Sequence, residues 1–307
     1  MSTDSGTGRD RPLLHEWESR LYGTVQSRDY PVPVQFLSTL LRVGTTLDRA
    51  YWGSIADLSA DITERHVGGV SGRFYVRSWL DAKFVHQFGG DGTHIELLRD
   101  LLSNVDESDV FLDVGANFGK FSCMLAHALP SGNVVAVEPH PANADRLDEN
   151  LALNCVDRPA IRRALSDENG TAELTVGTDV SGFQGAAFRS ISSTRTLDWL
   201  KSRREITHEV PTVRGDDLIE EADLPQPTVV KIDVEGAELQ VIDGMRETLE
   251  NEACRLVYCE VHAKRLRGTG DDPRRVAREL EALGFEVVEK PETYGGTEQV
   301  KAIRSDD

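Results

Sequence analysis

From Asp109 to the C-terminus, short apolar segments alternate with amphipathic segments of helical period, and few folds accommodate that pattern. Segments such as FLDVG, NVVAVEP and VVKIDV are followed by helical segments such as ANADRLDENLALN and AELQVIDGMRETLE. This alternation predicts a parallel, doubly wound α/β sheet with right-handed crossovers. The last two apolar segments, FEVVEK and EQVKAIRS, are joined by a turn-rich linker and predict an antiparallel addition to the sheet.

The first 93 residues have a different pattern. Residues 1–12 are rich in Ser, Thr, Gly and Asp, and we expect a disordered tail there. Residues 13–93 are predicted to be mainly helical, with a helix in VQFLSTLLRVGTTLDRAYW and a strand or hairpin in GGVSGRFYVRSW. We expect this region to be a cap over a ligand site or a homodimerisation element, and we expect a separate α/β domain to occupy 94–307.

The chain carries 52 acidic against 34 basic residues, a formal net charge of −18. Such an excess of acid argues against binding to nucleic acid or to an anionic membrane surface, because both require basic patches. It is also the surface expected of a protein that stays dissolved in high salt, where repulsion between like charges is screened. We therefore predict a halophilic source.

Cysteine use and the N-terminus both predict a cytoplasmic protein. The four cysteines show no CxxC spacing, and three of them lie in apolar segments, which favours buried free thiols. The N-terminal segment MSTDSGTGRDRPLL lacks the apolar core of a signal peptide. No apolar run approaches the ~18 residues that a membrane-spanning helix requires, so we expect no membrane span.

The first strand of the alternating region ends in a glycine turn of the kind found in nucleoside-binding sites. Asp113 closes the strand, and Gly115 and Gly119 precede a helix whose first N–H groups can bind a ligand. The turn departs from G-x-G-x-x-G because Asn117 stands in place of a second glycine. Glu138 ends the next strand, where a carboxylate can bind both ribose hydroxyls. Asp113 would repel a pyrophosphate but suits the cationic amino-acid end of S-adenosylmethionine.

Acidic side chains also follow two later strands. The segment VVKI is followed by Asp233 and Glu235, and Glu260 and His262 lie at the end of RLVYCEV. Ligands of open α/β sheets bind outside the carboxyl ends of the strands, so we expect these side chains to converge with Lys231. Lys231 either contacts substrate or neutralises Asp233, because an unpaired buried lysine is costly.

Together these segments resemble the FkbM-type methyltransferases, a family within the class I S-adenosylmethionine-dependent fold. The resemblance rests on DVGANFGKFS, VEPHP, ALNCV, ALSDENGTAEL and above all VVKIDVEGAELQVIDGM, and it spans roughly residues 94–262. It implies a Rossmann-like, mostly parallel seven-stranded sheet with an antiparallel C-terminal strand, behind an N-terminal extension. It also implies a cofactor site formed by Asp113, Gly115, Ala116, Asn117 and Gly119 around the methionine part, Glu138 and its neighbour Pro139 at the ribose, and Ala164 and Ser166 beside the adenine.

Two schemes for the chemistry remain open at this point. In the first, His262 or Asp233 is the general base that removes the proton of the acceptor hydroxyl, and Glu235 orients that hydroxyl. In the second, Asp233, Glu235 and Glu260 bind a divalent cation such as Mg²⁺, which lowers the pKa of the hydroxyl. Glu238 is interpreted as an acid that complements the N-terminus of a helix.

The expected function is therefore S-adenosylmethionine-dependent O-methylation of a hydroxyl on a sugar, a glycan or another natural product. An NAD-dependent oxidoreductase or epimerase is the main alternative, although Asp113 and Asn117 disfavour it and no Tyr-x-x-x-Lys motif is present. A cofactor-binding scaffold without catalytic activity is the third possibility.

Overall fold

A computed structural model of the chain describes residues 46–47, 49–57, 61–86, 93–176, 187–188, 206–293 and 297–304. The predicted tail at 1–12 and the first part of the N-terminal region, up to residue 45, lie outside the described residues.

The described residues follow the predicted alternation of strands and helices at 111–166 and 229–303, whereas the strands and the helix between 170 and 221 were not predicted. The strands are β1 (Ile62–Val67), β2 (Val70–Tyr75), β3 (Phe111–Val114), β4 (Val134–Val137), β5 (Ala164–Ser166), β6 (Gly170–Val176), β7 (Ala187–Phe188), β8 (Ile206–Arg214), β9 (Val229–Ile232), β10 (Leu256–Val261), β11 (Glu286–Thr293) and β12 (Thr297–Ile303). The helices are α1 (46–47 and 49–57), α2 (Trp79–His86), α3 (Thr93–Ser103), α4 (Lys120–Leu125), α5 (Pro141–Leu153), α6 (Gly215–Glu221), α7 (Glu238–Gly244), α8 (Arg246–Glu250), α9 (Ala263–Thr269) and α10 (Arg274–Ala282).

A mixed sheet in the order β4-β3-β9-β10-β12-β11 lies at the centre of the fold. β4, β3, β9 and β10 are parallel, and β12 runs antiparallel to both β10 and β11. The α/β fold and its antiparallel C-terminal strand are thus confirmed. The segment AIRRALS contributes to two sheets. Ile161 makes one parallel bridge to Val137 of the central sheet, whereas β5 joins a second sheet in the order β5-β8-β6-β7. The central sheet therefore has six strands and one bridge where the resemblance implies seven strands.

Apolar side chains on the two faces of the central sheet form two separate cores. Phe111 and Val229 face a core that is completed by α3, α4 and α5. Their neighbours Leu112 and Val230 face the opposite core, which is completed by α7 and α10. Helices on both faces explain why these strands are apolar throughout rather than alternating with polar residues. The polar exceptions in the sheet are therefore informative about the site.

The N-terminal part combines helices with a hairpin. β1 and β2 pair antiparallel, which confirms the hairpin predicted from GGVSGRFYVRSW and extends it toward the N-terminus. Trp52, Phe74 and Val85 are buried in the same core as α3 to α5. The described part of this region combines helix and hairpin, and Phe74 of the hairpin helps to cover that core. The prediction of a mainly helical extension is therefore not confirmed. A cap or dimerisation role for 13–93 stays a prediction.

The segment AELQVIDGMRETLE forms two helices, α7 and α8, where one was predicted. α7 ends at Gly244, and an added Cβ there would lie 1.9 Å from the carbonyl oxygen of Ser166. The glycine permits this close contact with β5 and also lowers the local helix propensity. The interruption therefore comes from tertiary packing that helical periodicity does not reveal.

None of the described helices is long and apolar enough to cross a membrane. Cys123, Cys254 and Cys259 are buried free thiols, and Cys155 is exposed, which confirms the prediction of three buried cysteines.

Candidate active site

The register of the central sheet brings Asp113 and Lys231 together. Asp113 of β3 pairs with Lys231 of β9, so both side chains lie on the same face. Lys231 Nζ donates to Asp113 Oδ1 at 3.2 Å and to Asp233 Oδ2 at 3.5 Å. Asp113 Oδ2 accepts hydrogen bonds from the N–H and the Oγ–H of Ser122, at 3.2 and 2.6 Å. Lys231 therefore neutralises Asp113 as well as the predicted Asp233.

Lys231 is a permanent buried cation. Burial opposes its charge, but the carboxylates of Asp113, Asp233 and Glu260 outweigh burial and raise the pKa of Lys231 above its usual value. Only 3% of its surface is exposed, which favours a role as counterion over contact with substrate. Asp113 is fully buried and both its oxygens are bonded, so its direct contact with a cofactor amino group stays a prediction.

The glycines of the first turn are required by packing within the protein. Gly115 has a φ of +78°, and an added Cβ would lie 1.9 Å from the carbonyl oxygen of Asp233. Gly119 has a φ of +93°, and its Cβ would lie 2.6 Å from Leu147 Cδ1. The sequence reading attributed both to close approach of a ligand. The structure adds that Gly115 places the turn directly against the loop that carries Asp233.

Glu138 fastens the turn to the end of β4. Its Oε2 accepts the N–H of Asn117 and its Oε1 accepts the N–H of His140, both at 2.8 Å. Burial raises the pKa of Glu138 to about 7, although the hydrogen bonds it accepts act in the opposite direction. Asn117 adopts a φ of +53°, a left-handed conformation that asparagine tolerates better than most residues. A ribose contact for Glu138 and a cofactor contact for Ala116, which is buried beside it, stay predictions.

The residues predicted to flank the adenine differ in environment. Ala164 is buried and packs with Leu174 and Val210 in the second sheet. Ser166 is half-buried, and so is Pro139. Ser166 and Pro139 therefore keep surface that a ligand could contact, whereas Ala164 supports the position of β5.

His262 stands among the carboxylates that follow β9 and end β10. Its Nε2 lies 3.4 Å from Glu235 Oε2, 3.9 Å from Glu260 Oε1 and 4.0 Å from Asp233 Oδ1. None of these four side chains is more than 21% exposed. The structure thus brings together the four residues predicted to converge at the strand ends, and their catalytic roles stay predictions.

The other ring nitrogen of His262 is bound by Glu238, which sequence reasoning had assigned to a helix N-terminus. Glu238 is fully buried, and its Oε1 lies 2.8 Å from His262 Nδ1. The same oxygen accepts the N–H of His262 at 3.1 Å and the N–H of Gly236 at 3.0 Å. The sequence feature that could have indicated this contact is the segment V-E-G-A-E, in which Glu238 follows Glu235 by three residues.

The side chains of this cluster differ in their pKa shifts and therefore in their charge at neutral pH. Burial opposes protonation of His262, but Glu238, Glu235 and Asp233 outweigh it and raise the pKa of His262 to about 9. Burial, together with the charge of Asp233, raises the pKa of Glu260 to about 7. Burial also raises the pKa of Glu235, against the influence of His262 and Arg265. At neutral pH the imidazole is therefore cationic, and the pKa of Glu260 lies close to neutral pH.

Lys120 is a further basic group that the sequence reading did not single out. It begins α4, directly after Gly119, in the segment DVGANFGKFS. Burial, reinforced by the positive charge of Lys231, lowers the pKa of Lys120 to about 7, while Glu260 and Asp233 oppose that shift. Its charge is thus coupled to the acids of the crevice.

Three of these side chains could also hold a metal ion. One ligand atom from each of Asp233, Glu260 and His262 can be placed within 4.8 Å of the others. The sequence reading put Glu235 in this set and left out His262. In the structure Glu235 instead lies 3.0 Å from Arg265 Nη2 and faces His262 Nε2. A mixed imidazole and carboxylate set suits Mn²⁺ or Zn²⁺ better than Mg²⁺, which prefers oxygen ligands.

The family model of the methyltransferase FkbM domain matches residues 113–287. The chain belongs to the FkbM methyltransferase family. The match contains the glycine turn and all the acids of the crevice, so the resemblance found in DVGANFGKFS and VVKIDVEGAELQVIDGM is confirmed. The protein is therefore a methyltransferase-family member whose central sheet carries the residues described above.

Named relatives agree with this assignment. The hexuronic acid methyltransferase AglP of Haloferax volcanii is 30% identical over 214 residues, which are 70% of this chain and 77% of that protein. The 31-O-demethyl-FK506 methyltransferase FkbM of Streptomyces tacrolimicus is 31% identical over 217 residues, 64% of this chain and 81% of that protein. The 2-O-methyltransferase NoeI of Sinorhizobium fredii is 29% identical over 204 residues, 63% of this chain and 79% of that protein.

Proposed function

We propose that this FkbM-family protein transfers a methyl group from S-adenosylmethionine to a hydroxyl of a hexuronic acid or a related sugar. The observation that carries the proposal is the close packing of the glycine turn against the loop that holds Asp233. An added Cβ on Gly115 would lie 1.9 Å from the carbonyl oxygen of Asp233. A ligand on the turn would then lie beside the carboxylates that can receive the acceptor.

The donor set of the crevice fits a cationic cofactor. Asp233, Glu235 and Glu260 lie at the carboxyl ends of β9 and β10, where ligands of open α/β sheets bind. When bound, S-adenosylmethionine supplies an activated methyl group on a sulfonium cation. The residues that would hold it are the turn from Gly115 to Gly119, Glu138 at the ribose and Ser166 beside the adenine.

Glu260 is the proposed general base. A base is most effective when its pKa lies near the working pH, and burial brings the pKa of Glu260 to about 7. His262, which the sequence offered with Asp233 as a possible base, has a pKa raised to about 9 and is already protonated at neutral pH. The proton of the acceptor hydroxyl would therefore pass to Glu260, with the charged imidazole of His262 beside it.

Asp233 and Glu235 are better suited to orienting the acceptor than to removing its proton. Asp233 Oδ2 lies 3.5 Å from Lys231 Nζ, and Glu235 Oε2 lies 3.0 Å from Arg265 Nη2. Each of these carboxylates is thus held by a basic partner, which opposes its protonation, although burial raises the pKa of Glu235 overall. Both side chains can still accept hydrogen bonds from a sugar hydroxyl, which would fix it for in-line displacement.

The acceptor class rests on the relatives and on the charge of the chain. AglP is described as a hexuronic acid methyltransferase and NoeI as a 2-O-methyltransferase. The third relative is described as a 31-O-demethyl-FK506 methyltransferase. AglP comes from Haloferax volcanii, and the net charge of −18 suits a protein that works in high salt. We therefore propose a sugar acceptor in a halophilic cell, with the enzyme acting in the cytoplasm.

The first experiment is calorimetric titration with S-adenosylhomocysteine in molar KCl, with NAD⁺ titrated in parallel. Micromolar binding of S-adenosylhomocysteine alone is expected. Binding of NAD⁺ alone would overturn the proposal in favour of an oxidoreductase. If S-adenosylhomocysteine binds and Glu260→Ala then methylates every acceptor as fast as the wild type, the catalytic assignment fails.

The acceptor is tested with methyl-labelled S-adenosylmethionine and a panel of glucuronides, each paired with the matching glucoside. Transfer to the hydroxyl of a sugar gives a methyl ether, which survives mild alkali, whereas transfer to the carboxylate gives a methyl ester, which does not. Label that resists alkali supports O-methylation of a hydroxyl. Label released by alkali would move the reaction to the carboxylate and overturn that part of the proposal.

A metal-dependent scheme is the alternative that the cluster of Asp233, Glu260 and His262 favours. In that scheme the three side chains would hold a divalent cation in contact with the acceptor oxygen. We expect the enzyme to keep its activity after dialysis against EDTA. A loss that Mn²⁺ or Zn²⁺ restores would replace Glu260 as base by a metal centre.

A further inference from the structure

We infer that Glu238 is a positioning residue that fixes the ring of His262 in one orientation and one tautomer, with Nδ1–H bound to Glu238 and Nε2 directed at the crevice. This inference deepens the proposed function and rests on it for its catalytic consequence. Its structural part concerns only groups within the protein.

One oxygen atom of Glu238 controls both the backbone and the ring of His262. Oε1 accepts the N–H of His262 at 3.1 Å and faces its Nδ1 at 2.8 Å. A ring held at Nδ1 by a carboxylate must carry its proton there, so Nε2 is the nitrogen that faces Asp233, Glu235 and Glu260. Two hydrogen bonds to one residue also restrict the ring to a single rotamer.

The loop between β9 and α7 is shaped to deliver this carboxylate. Glu235 adopts a φ of +57°, which is unfavourable for a residue with a side chain, and Gly236 follows with a φ of +107°. An added Cβ on Gly236 would lie 2.7 Å from Arg265 Cβ, so the loop also packs closely against α9. Strained backbone persists where the surrounding structure demands it, and here it places Glu235 on one ring nitrogen of His262 and Glu238 on the other.

A helix-terminal role does not account for the bonds of Glu238. Two of its three hydrogen-bond donors belong to His262, which follows the neighbouring strand β10. Its second oxygen, Oε2, is buried and has no hydrogen-bond partner among the described residues. Such an oxygen is costly to bury, and His262 is the basic group in contact with this carboxylate among the described residues. The arrangement is explained if the carboxylate serves to hold the backbone and the ring of His262.

The groups that face His262 come from every element around it. Glu238 belongs to α7, Asp233 and Glu235 to the loop after β9, and Glu260 to β10. Together the acids outweigh burial and raise the pKa of the ring to about 9. Arg265 lies behind Glu235, and Lys231 lies behind Asp233.

The unpaired Oε2 makes a clean substitution possible. In Glu238→Gln the amide oxygen can keep the three hydrogen bonds of Oε1, and the NH₂ group takes the place of Oε2. The variant therefore keeps the contacts, whereas Glu238→Ala removes them. Asp216→Asn is the matched control, because Asp216 Oδ1 accepts hydrogen bonds from the N–H and Oγ–H of Thr248, at 2.9 and 2.7 Å, away from the crevice.

The test is ¹⁵N NMR of the histidine rings at pH 7, with His262 assigned by the loss of its signals in His262→Asn. In the wild type we expect a protonated Nδ1 with a downfield Nδ1–H resonance. That resonance should remain in Glu238→Gln and disappear in Glu238→Ala. In the methylation assay the kcat of Glu238→Ala should fall about tenfold or more, with KM little changed, and Glu238→Gln should recover most of that loss. Asp216→Asn should match the wild type in both measurements.

A wild-type spectrum without the Nδ1–H resonance would overturn the inference, even if no Glu238 variant folds. An unchanged ring spectrum in Glu238→Ala would also overturn it, and so would the expected spectra with the kcat of Glu238→Ala within twofold of the wild type. The proposed function fails separately: a chain that shows the expected ring signals but binds no S-adenosylhomocysteine would refute the methyltransferase mechanism and leave the geometry of Glu238 intact.

Discussion

Lys231→Met tests whether the buried lysine holds the acids of β3 and β9 in place. The substitution keeps an unbranched side chain of similar length but removes the cation that lies 3.2 Å from Asp113 and 3.5 Å from Asp233. Asp113 would keep its hydrogen bonds from Ser122 and lose its counterion while fully buried. The expected result is a large loss of stability without a change of fold.

The magnitude follows from burial. Removing one partner of a buried ion pair costs about 3–5 kcal/mol, because the remaining charge stays desolvated. The free energy of unfolding of a typical domain is only about 5–15 kcal/mol. Arg162 provides the contrast: it lies 2.6 Å from both Asp145 and Asp148, but its side chain is 47% exposed. Exposed pairs of this kind contribute about 0–1 kcal/mol, so Arg162→Met should be nearly neutral.

The assay is urea unfolding of both variants and the wild type at low and at molar KCl. Salt screens exposed pairs more than buried ones, so the small effect of Arg162→Met should shrink in high salt while the effect of Lys231→Met persists. The double variant Lys231→Met with Asp113→Asn should recover part of the loss, because the uncompensated carboxylate is then absent.

A Lys231→Met variant that is no less stable than Arg162→Met would refute the reasoning. If Lys231→Met alone does not fold, the double variant decides the matter. No recovery in that variant would show that the loss comes from packing of the lysine chain and not from an unpaired charge on Asp113.

Two further predictions concern the base and the glycine turn. The kcat/KM for methylation should rise with pH through about 7, as Glu260 loses its proton, and fall above about 9, as His262 loses its own. Glu260→Gln should reduce kcat by about 10²–10⁴-fold and abolish the lower transition, whereas a single rise centred near 9 would identify His262 as the base. Gly115→Ala should cost about 2 kcal/mol or more in urea unfolding, because its Cβ would lie 1.9 Å from the Asp233 carbonyl. Gly132→Ala, where nothing lies within 4 Å of an added Cβ, is its control, and equal stability of the two variants would contradict the packing argument.

The convergence of the acids could be predicted from the sequence because it depends on two simple rules. Alternating segments predict parallel strands, and the carboxyl ends of parallel strands meet at one edge of the sheet. Asp233 and His262 are therefore placed near each other by topology alone, and their side chains lie 4.0 Å apart in the structure. The pairing of Asp113 with Lys231 was missed, since it depends on the register between β3 and β9.

The role of Glu238 could not be predicted, because it depends on the path of one short loop. A carboxylate at the start of a helix ordinarily serves the N–H groups of that helix. Here the left-handed conformations at Glu235 and Gly236 turn the chain so that Glu238 reaches across to His262 on the next strand. The same loop explains Gly115, because an added Cβ there would lie 1.9 Å from the carbonyl oxygen of Asp233.

The charge state of the cluster connects these local features to the choice of cofactor. Asp113 is balanced by Lys231, Glu238 by His262 and Glu235 by Arg265. Asp233 shares Lys231 with Asp113, and Glu260 has His262 at 3.9 Å as its nearest ion-pair partner among the described residues. Asp233 and Glu260 also interact with the charge of Lys120, whose pKa they raise against the effect of burial. These carboxylates would attract a sulfonium cation and would repel the pyrophosphate of a dinucleotide, so the electrostatics favour S-adenosylmethionine over a dinucleotide.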